Sequence, residues 1–220
     1  MALTLSANET QYKPCPAGTH HATCIRIIDL GTQRSEFNGE VKTQPKILVT
    51  WEIDPQGDPD MLMSDGRPYT ISRRYTASMH SKSQLANDLK SWRGRDFTPE
   101  ERESFYLPAI LGKSCLLSIT HENSKDGSTV YANIAGIANK LKGYEPPTPK
   151  NEVFAFDMAQ PDWKHFDLLH EKVKEQIQAS PEYAELTRPA HQTPPPPPQR
   201  QTAPQGQPQP VDDIDDDIPF

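Results

Sequence analysis

Residues 69–94, YTISRRYTASMHSKSQLANDLKSWRG, change their period half-way and so decide the fold. Tyr69 to Met79 mixes aromatic, basic and hydroxyl residues in the manner of a strand. After Ser81 the apolar residues Leu85, Leu89 and Trp92 recur at i, i+4 and i+7, the spacing of one helix face. Ser81 or Ser83 stands where an N-cap belongs, and Gly94 where the helix stops. Thr98, Pro99 and Glu101 then form a capping box with proline at the first helical position.

Two strands precede this switch. HHATCIRIIDL (20–30) is β-rich and closes on Gly31, a bulge or sharp bend. VKTQPKILVTWEI (41–53) alternates Ile47, Val49, Trp51 and Ile53 with Lys46, Leu48, Thr50 and Glu52. Two more strands follow it: SCLLSITHE (114–122), then TVYANIAGIA (129–138) after a hairpin signal at Asp126-Gly127. The order β-β-β-α-β-β is that of the OB-fold, a five-stranded barrel with its helix between strands three and four. The expected class is mainly β, although a generic α+β sandwich shares the order. Residues 140–150 read as a linker, and 161–186 as one amphipathic helix from Pro161, with Trp163, Phe166, Leu169, Val173 and Ile177 on a stripe. A short turn beginning at Ser180 completes it, and the helix is expected to pack on the barrel or on another copy.

Composition divides the chain of 220 residues further. Hydrophobic residues are 34%, below the roughly 45% of a packed domain, so part of the chain has no core. Residues 1–150 carry 18 Lys+Arg and 17 Asp+Glu, whereas 151–220 carry 5 and 13. From Thr187 onward 10 of 34 residues are proline, including the run Pro194–Pro198, which predicts an extended polyproline and coil linker. The expected layout is a barrel domain over 1–145, a linker and helical extension over 146–186, a disordered linker over 187–210 and an acidic tip over 211–220. That tip, VDDIDDDIPF, sets Val211, Ile214, Ile218 and Phe220 among five aspartates. A terminal Phe ring with its carboxylate is a compact docking ligand for a basic-rimmed pocket. The three cysteines, Cys15, Cys24 and Cys115, have unrelated spacings and predict a reducing cytoplasm without a disulfide scaffold. No apolar run is long enough for a membrane span, and the N-terminus lacks a signal-peptide pattern, so no membrane partner is expected.

Enzyme chemistry is thinly represented. The chain has no GxxxxGK[ST], GxSxG, HExxH or CxxC motif, and no cofactor or metal is expected. His20 and His21, with Cys15 and Cys24, suggest a metal cluster, but adjacent strand residues point to opposite faces. Glu52, Asp54, Asp58 and Asp60 suggest a nuclease, but they lack a lysine partner at fixed spacing. Binding chemistry is better supplied. Cations neutralise phosphates, and flat rings stack on unpaired bases whatever the base. The expected loop between strands one and two, 32–42, offers Arg34, Phe37 and Lys42, and the loop between four and five offers Lys125. Lys46 near Trp51, Arg73 and Arg74 beside Tyr75, Lys82, the group Trp92, Arg93 and Arg95, and Tyr131 complete the candidates for single-stranded DNA. Against this, Trp51 shares a face with Ile47 and Val49, and Trp92 closes the helix stripe, so both also read as core. Arg73 and Arg74 occupy opposite faces of one strand, and only one of them can serve the nucleic acid.

The tail carries a specific resemblance. DDIDDDIPF is similar to the tip of bacterial single-stranded DNA-binding proteins, which follows an OB-fold and a Pro/Gln/Gly-rich linker. Asp216, Asp217, Ile218, Pro219 and Phe220 match it residue by residue, with Asp213 and Asp215 just upstream. The stretches DLGTQ (29–33), YTASMHSKSQL (75–85), SWRGRDFTPEE (91–101) and LGKSCLLSITH (111–121) resemble a group of phage-encoded proteins of the same kind. The resemblance implies single-strand binding in phage DNA replication, recombination and repair, in the bacterial host cytoplasm. It also implies that the tip recruits the proteins of those processes. The assembly of the bacterial proteins into oligomers need not carry over. An OB-fold adaptor that competes for host partners without binding DNA is the alternative.

Overall fold

The computed structural model describes residues 13–37 and 39–188, apart from the side chain of Phe37. The tip residues Asp213, Asp215, Asp216, Asp217, Ile218, Pro219 and Phe220 lie outside the described residues, as does the expected linker after Arg188. The molecule is mainly β. Five antiparallel strands, β1 (Gly18–Phe37), β2 (Glu40–Ile53), β3 (Thr70–Thr76), β4 (Ser114–Asn123) and β5 (Val130–Asn139), run in the order β3-β2-β1-β4-β5. A short β6 (Phe154–Phe156) pairs parallel to Arg26–Ile28 of β1.

β1 organises everything else. Its 20 residues run past Gly31, where the sequence predicts an end, and pair with β2 from Ala22 to Phe37. On its other edge Gly18–Thr23 pairs with β4, and the next stretch pairs with β6. The register slips by one residue between Cys24 and Arg26 and again between Asp29 and Gly31. Each bulge bends the strand and turns the following side chains to the other face. Ala22, Cys24 and Ile27 therefore serve one core, whereas Ile28 and Leu30 serve a second. Gly31 has φ +67°, and a Cβ there would lie 2.5 Å from Met158 Cε and 2.7 Å from Ser180 Oγ.

The first core lies between the sheet and α1 (Gln84–Arg93), where Ile47, Val49 and Trp51 of β2 meet Leu85, Leu89 and Trp92. Ser83 caps α1, its Oγ accepting from the Ala86 N–H at 3.1 Å, and Gly94 closes it at φ +74°. The capping box at Thr98 opens α2 (Pro99–Glu103) as the sequence predicts. The second core joins Ile28 and Leu30 to Phe154, Phe156, Met158, Phe166, Leu169 and Ile177. Phe156 and Ile177 are fully enclosed there, each worth roughly 1.5–3 kcal/mol.

The predicted single helix over 161–186 is instead three short ones: α3 (Trp163–Asp167), α4 (Glu171–Gln178) and α5 (Pro181–Leu186). His170 caps α4, its Nδ1 accepting from the Lys172 N–H at 3.2 Å. Ser180 caps α5, where Pro181 has no N–H to continue the preceding ladder. Breaking the helix lets Phe166, Leu169 and Ile177 converge on one strand, which a straight stripe does not allow. The stretch after residue 140 thus leads to a segment that packs on the sheet through β6 and these helices.

Candidate nucleic-acid interface

The pleat sorts the candidate residues. Strand β2 is regular, so Lys42, Gln44 and Lys46 share the face opposite Ile47 and Val49. The register Lys46↔Thr76 and Leu48↔Arg74 puts Arg74 and Thr76 on that same outer face. Lys46 donates from Nζ to Thr76 Oγ1 at 2.7 Å and Gln44 Oε1 at 3.0 Å. Arg74 is exposed, with one Nη2 bond of 2.6 Å to Gln176 Oε1 of α4. Lys42 lies 3.4 Å from Glu40, both exposed, a pair that water and salt screen. The expected loop over 32–42 is mostly strand, since β1 runs on to Phe37 and β2 starts at Glu40, and Arg34, opposite Thr43, projects from the other face. The Phe37 side chain lies outside the described residues.

Several candidates are spent elsewhere. Trp51 is 1% exposed and Tyr75 3%, so neither ring offers a stacking face in this conformation. Tyr75 donates its hydroxyl to Asp88 Oδ2 at 2.8 Å, and burial with this carboxylate pushes its phenol far above the usual range. Arg73, on the inner face, donates to the same oxygen at 3.2 Å, so Arg74 is the outward member of the pair. Trp92 is buried as well, its Nε1–H donating to Ser114 O at 2.8 Å. Arg93 and Arg95 both close on Glu101 at 2.8 Å and, with the capping N–H of Thr98, hold its carboxyl down to about 2. Lys82 and Lys125 are exposed without a side-chain partner among the described residues. Tyr131 is 53% exposed and sits opposite Glu122, a like-charge neighbour for any phosphate.

Glu52, Asp54 and Asp58 each hold local structure. Glu52 is buried and accepts from the N–H groups of Lys150 and Asn151 at 2.9 and 2.8 Å, pinning the segment that leads to β6. Asp54 accepts from the Tyr144 hydroxyl, and Asp58 caps a turn through the Asp60 N–H. Among the described residues no three His, Cys, Asp or Glu side chains are grouped to hold a metal ion. Burial pushes the Cys15 and Cys24 thiols up to about 12, which leaves them poor nucleophiles. No helix among the described residues is long and apolar enough to cross a membrane.

Two features escaped the sequence reading. Asp88 lies on the same face of α1 as Leu85, Leu89 and Trp92, and an acid among apolar positions was a signal that it had buried partners. Tyr106, Lys113 and Lys140, scattered through the sequence without a pattern, gather around a cavity of about 830 Å³ beneath α1; Lys113 and Lys140 line it. The outer face of β1 and β2 is partly covered, since Gln33 donates to Gln176 O at 2.9 Å and Thr32 N–H to Glu182 at 2.9 Å. Arg74 thus lies beside α4, with Lys46 on the neighbouring strand of the same face. No family model matches the chain, and no curated protein matches it.

Proposed function

We propose that the five strands β1–β5 form an OB-fold barrel that binds single-stranded DNA without regard to sequence, in phage DNA replication and recombination. The observation that carries this reading is the strand order β3-β2-β1-β4-β5, with α1 in contact with both β3 and β5, the unpaired ends of the sheet, which also come near each other. A long bent first strand that pairs with both the second and the fourth is the arrangement the OB topology requires. Lys42, Lys46 and Arg74 on one outer face supply phosphate contacts, and Arg34 extends them around the hairpin. The acidic tip at 211–220 then recruits replication, recombination and repair proteins while the barrel holds the strand.

One observation favours the adaptor reading. Arg73 is held by the buried Asp88, Arg93 and Arg95 pair with Glu101, and the C-terminal helices occupy part of the outer face. The two readings separate in one titration. The full chain is added to a fluorescein-labelled oligo-dT at several salt concentrations, with duplex as control, and anisotropy is read because Trp51 and Trp92 are buried reporters. Saturable single-strand binding whose log-log salt slope is about 0.7 per phosphate neutralised supports the proposal. No binding at low salt refutes it and leaves the adaptor.

A further inference from the structure

We infer that the cavity beneath α1 receives an unpaired base of the bound strand, with Lys113 and Lys140 on the flanking phosphates; this rests on the single-strand reading above. The cavity, about 830 Å³, is large enough for a nucleotide. Leu89, Trp92, Phe97, Phe105 and Ile110 wall it, and Tyr106, 72% exposed, stands at its mouth. A tyrosine ring held in water beside an apolar hollow has unused stacking area, worth more to a flat base than to solvent.

The rim selects the chemistry of the occupant. Among the described lining residues Glu101 is the acid, and Arg93 and Arg95 already answer its charge. Lys113 and Lys140 are exposed and form no ion pair among the described residues; Lys140 spends one N–H on Tyr144 O at 2.9 Å. The mouth is thus positive and rich in donors, which suits a phosphodiester, all acceptors, better than a peptide whose N–H groups need acceptors.

Phe105 is shared with a second hollow of about 190 Å³, whose other walls include Ile47, Ala77 and Ser78. Those residues adjoin Lys46 and Thr76 at the end of β3. Lys46 and Arg74 face the other side of the sheet, so the cations that serve this cavity are Lys113 and Lys140. The positive mouth of the cavity fits a polyanion.

The test compares the full chain with Tyr106→Ala, Tyr106→Phe and the double variant Lys113→Ala/Lys140→Ala, using labelled oligo-dT and anisotropy across salt. Tyr106→Ala is expected to weaken binding about five- to hundredfold, and Tyr106→Phe to keep it, because stacking needs the ring alone. The lysine double variant is expected to lower the salt slope by about 1.4, two phosphates' worth. Thermal melts unchanged from wild type establish that these exposed substitutions leave the fold intact. Wild-type binding with all variants equal to it overturns the inference and hands the cavity to a protein partner. Absent wild-type binding overturns the single-strand reading itself.

Discussion

Replacing Gly31 by alanine tests the close approach of β1 to Met158 and Ser180. A left-handed backbone costs a residue bearing a Cβ about 1–2 kcal/mol, and Gly31 has φ +67°. The new methyl carbon would lie 2.5 Å from Met158 Cε and 2.7 Å from Ser180 Cβ, inside any van der Waals contact. Met158 is a flexible chain end and yields; Ser180 Cβ is fixed to the backbone between α4 and α5 and does not. Overpacking of this kind costs about 1–3 kcal/mol, so the substitution is expected to destabilise by about 2–5 kcal/mol. With an m-value of about 2 kcal/mol/M, the urea midpoint falls by about 1–2.5 M. Fluorescence reports on both cores, since Trp51 and Trp92 belong to the first and Trp163 packs on Phe156 and Phe166 of the second. Repeating the substitution in a Ser180→Gly background removes the contact that cannot yield, so Gly31→Ala is expected to cost less there, a coupling of roughly 0.5–3 kcal/mol. A loss under about 0.5 kcal/mol, or one identical in both backgrounds, refutes the close contact between β1 and the C-terminal helices.

Three further outcomes are expected, two from the structure and one from the sequence of the tail. Asp88→Ala strands the buried Tyr75 hydroxyl and Arg73 and is expected to cost about 2–4 kcal/mol in urea unfolding; an unchanged midpoint contradicts the shared acceptor. Glu101 ionises near 2 instead of 4.5, so its contribution to stability is complete above pH 4.5 and disappears as pH falls through about 2. The stability gap between wild type and Glu101→Gln is expected to close over that window, and a gap constant in pH rules out the charge as its source. Deleting residues 211–220 removes five aspartates, so oligo-dT affinity is expected to stay equal or tighten while recruitment of partners is lost. Weaker DNA binding by the truncated chain contradicts the division of labour.

Local patterns proved readable where the period was unbroken. The alternation of 41–53 and the stripe Leu85, Leu89, Trp92 placed their side chains correctly, because a regular element carries its faces in its own spacing. β1 was cut short at Gly31 because its two bulges interrupt the period of two, and its continuation depends on β2 rather than on its own residues. The three-residue β6 is too short for any periodic signal and exists through pairing with Arg26–Ile28. At the site, opposite faces for Arg73 and Arg74 were legible, but the direction of each required the position of Asp88, fifteen residues away on α1. Arg93 and Arg95 looked available because nothing nearby in sequence announces that Glu101 folds back onto both.

The doubly bulged β1 also bears on how this chain tolerates changes in length. Between Cys24 and Gly31 one inserted or deleted residue adds or erases a bulge and exchanges the faces of everything beyond it. Ile27 and Ile28, neighbours committed to different cores, would then trade places, and both interiors would meet polar groups at once. Insertions are harmless in the turn at 124–129, whose backbone bonds close on themselves. Within those eight residues of β1, however, the number of residues is as constrained as their identity, and relatives that diverge freely in sequence are expected to keep that count.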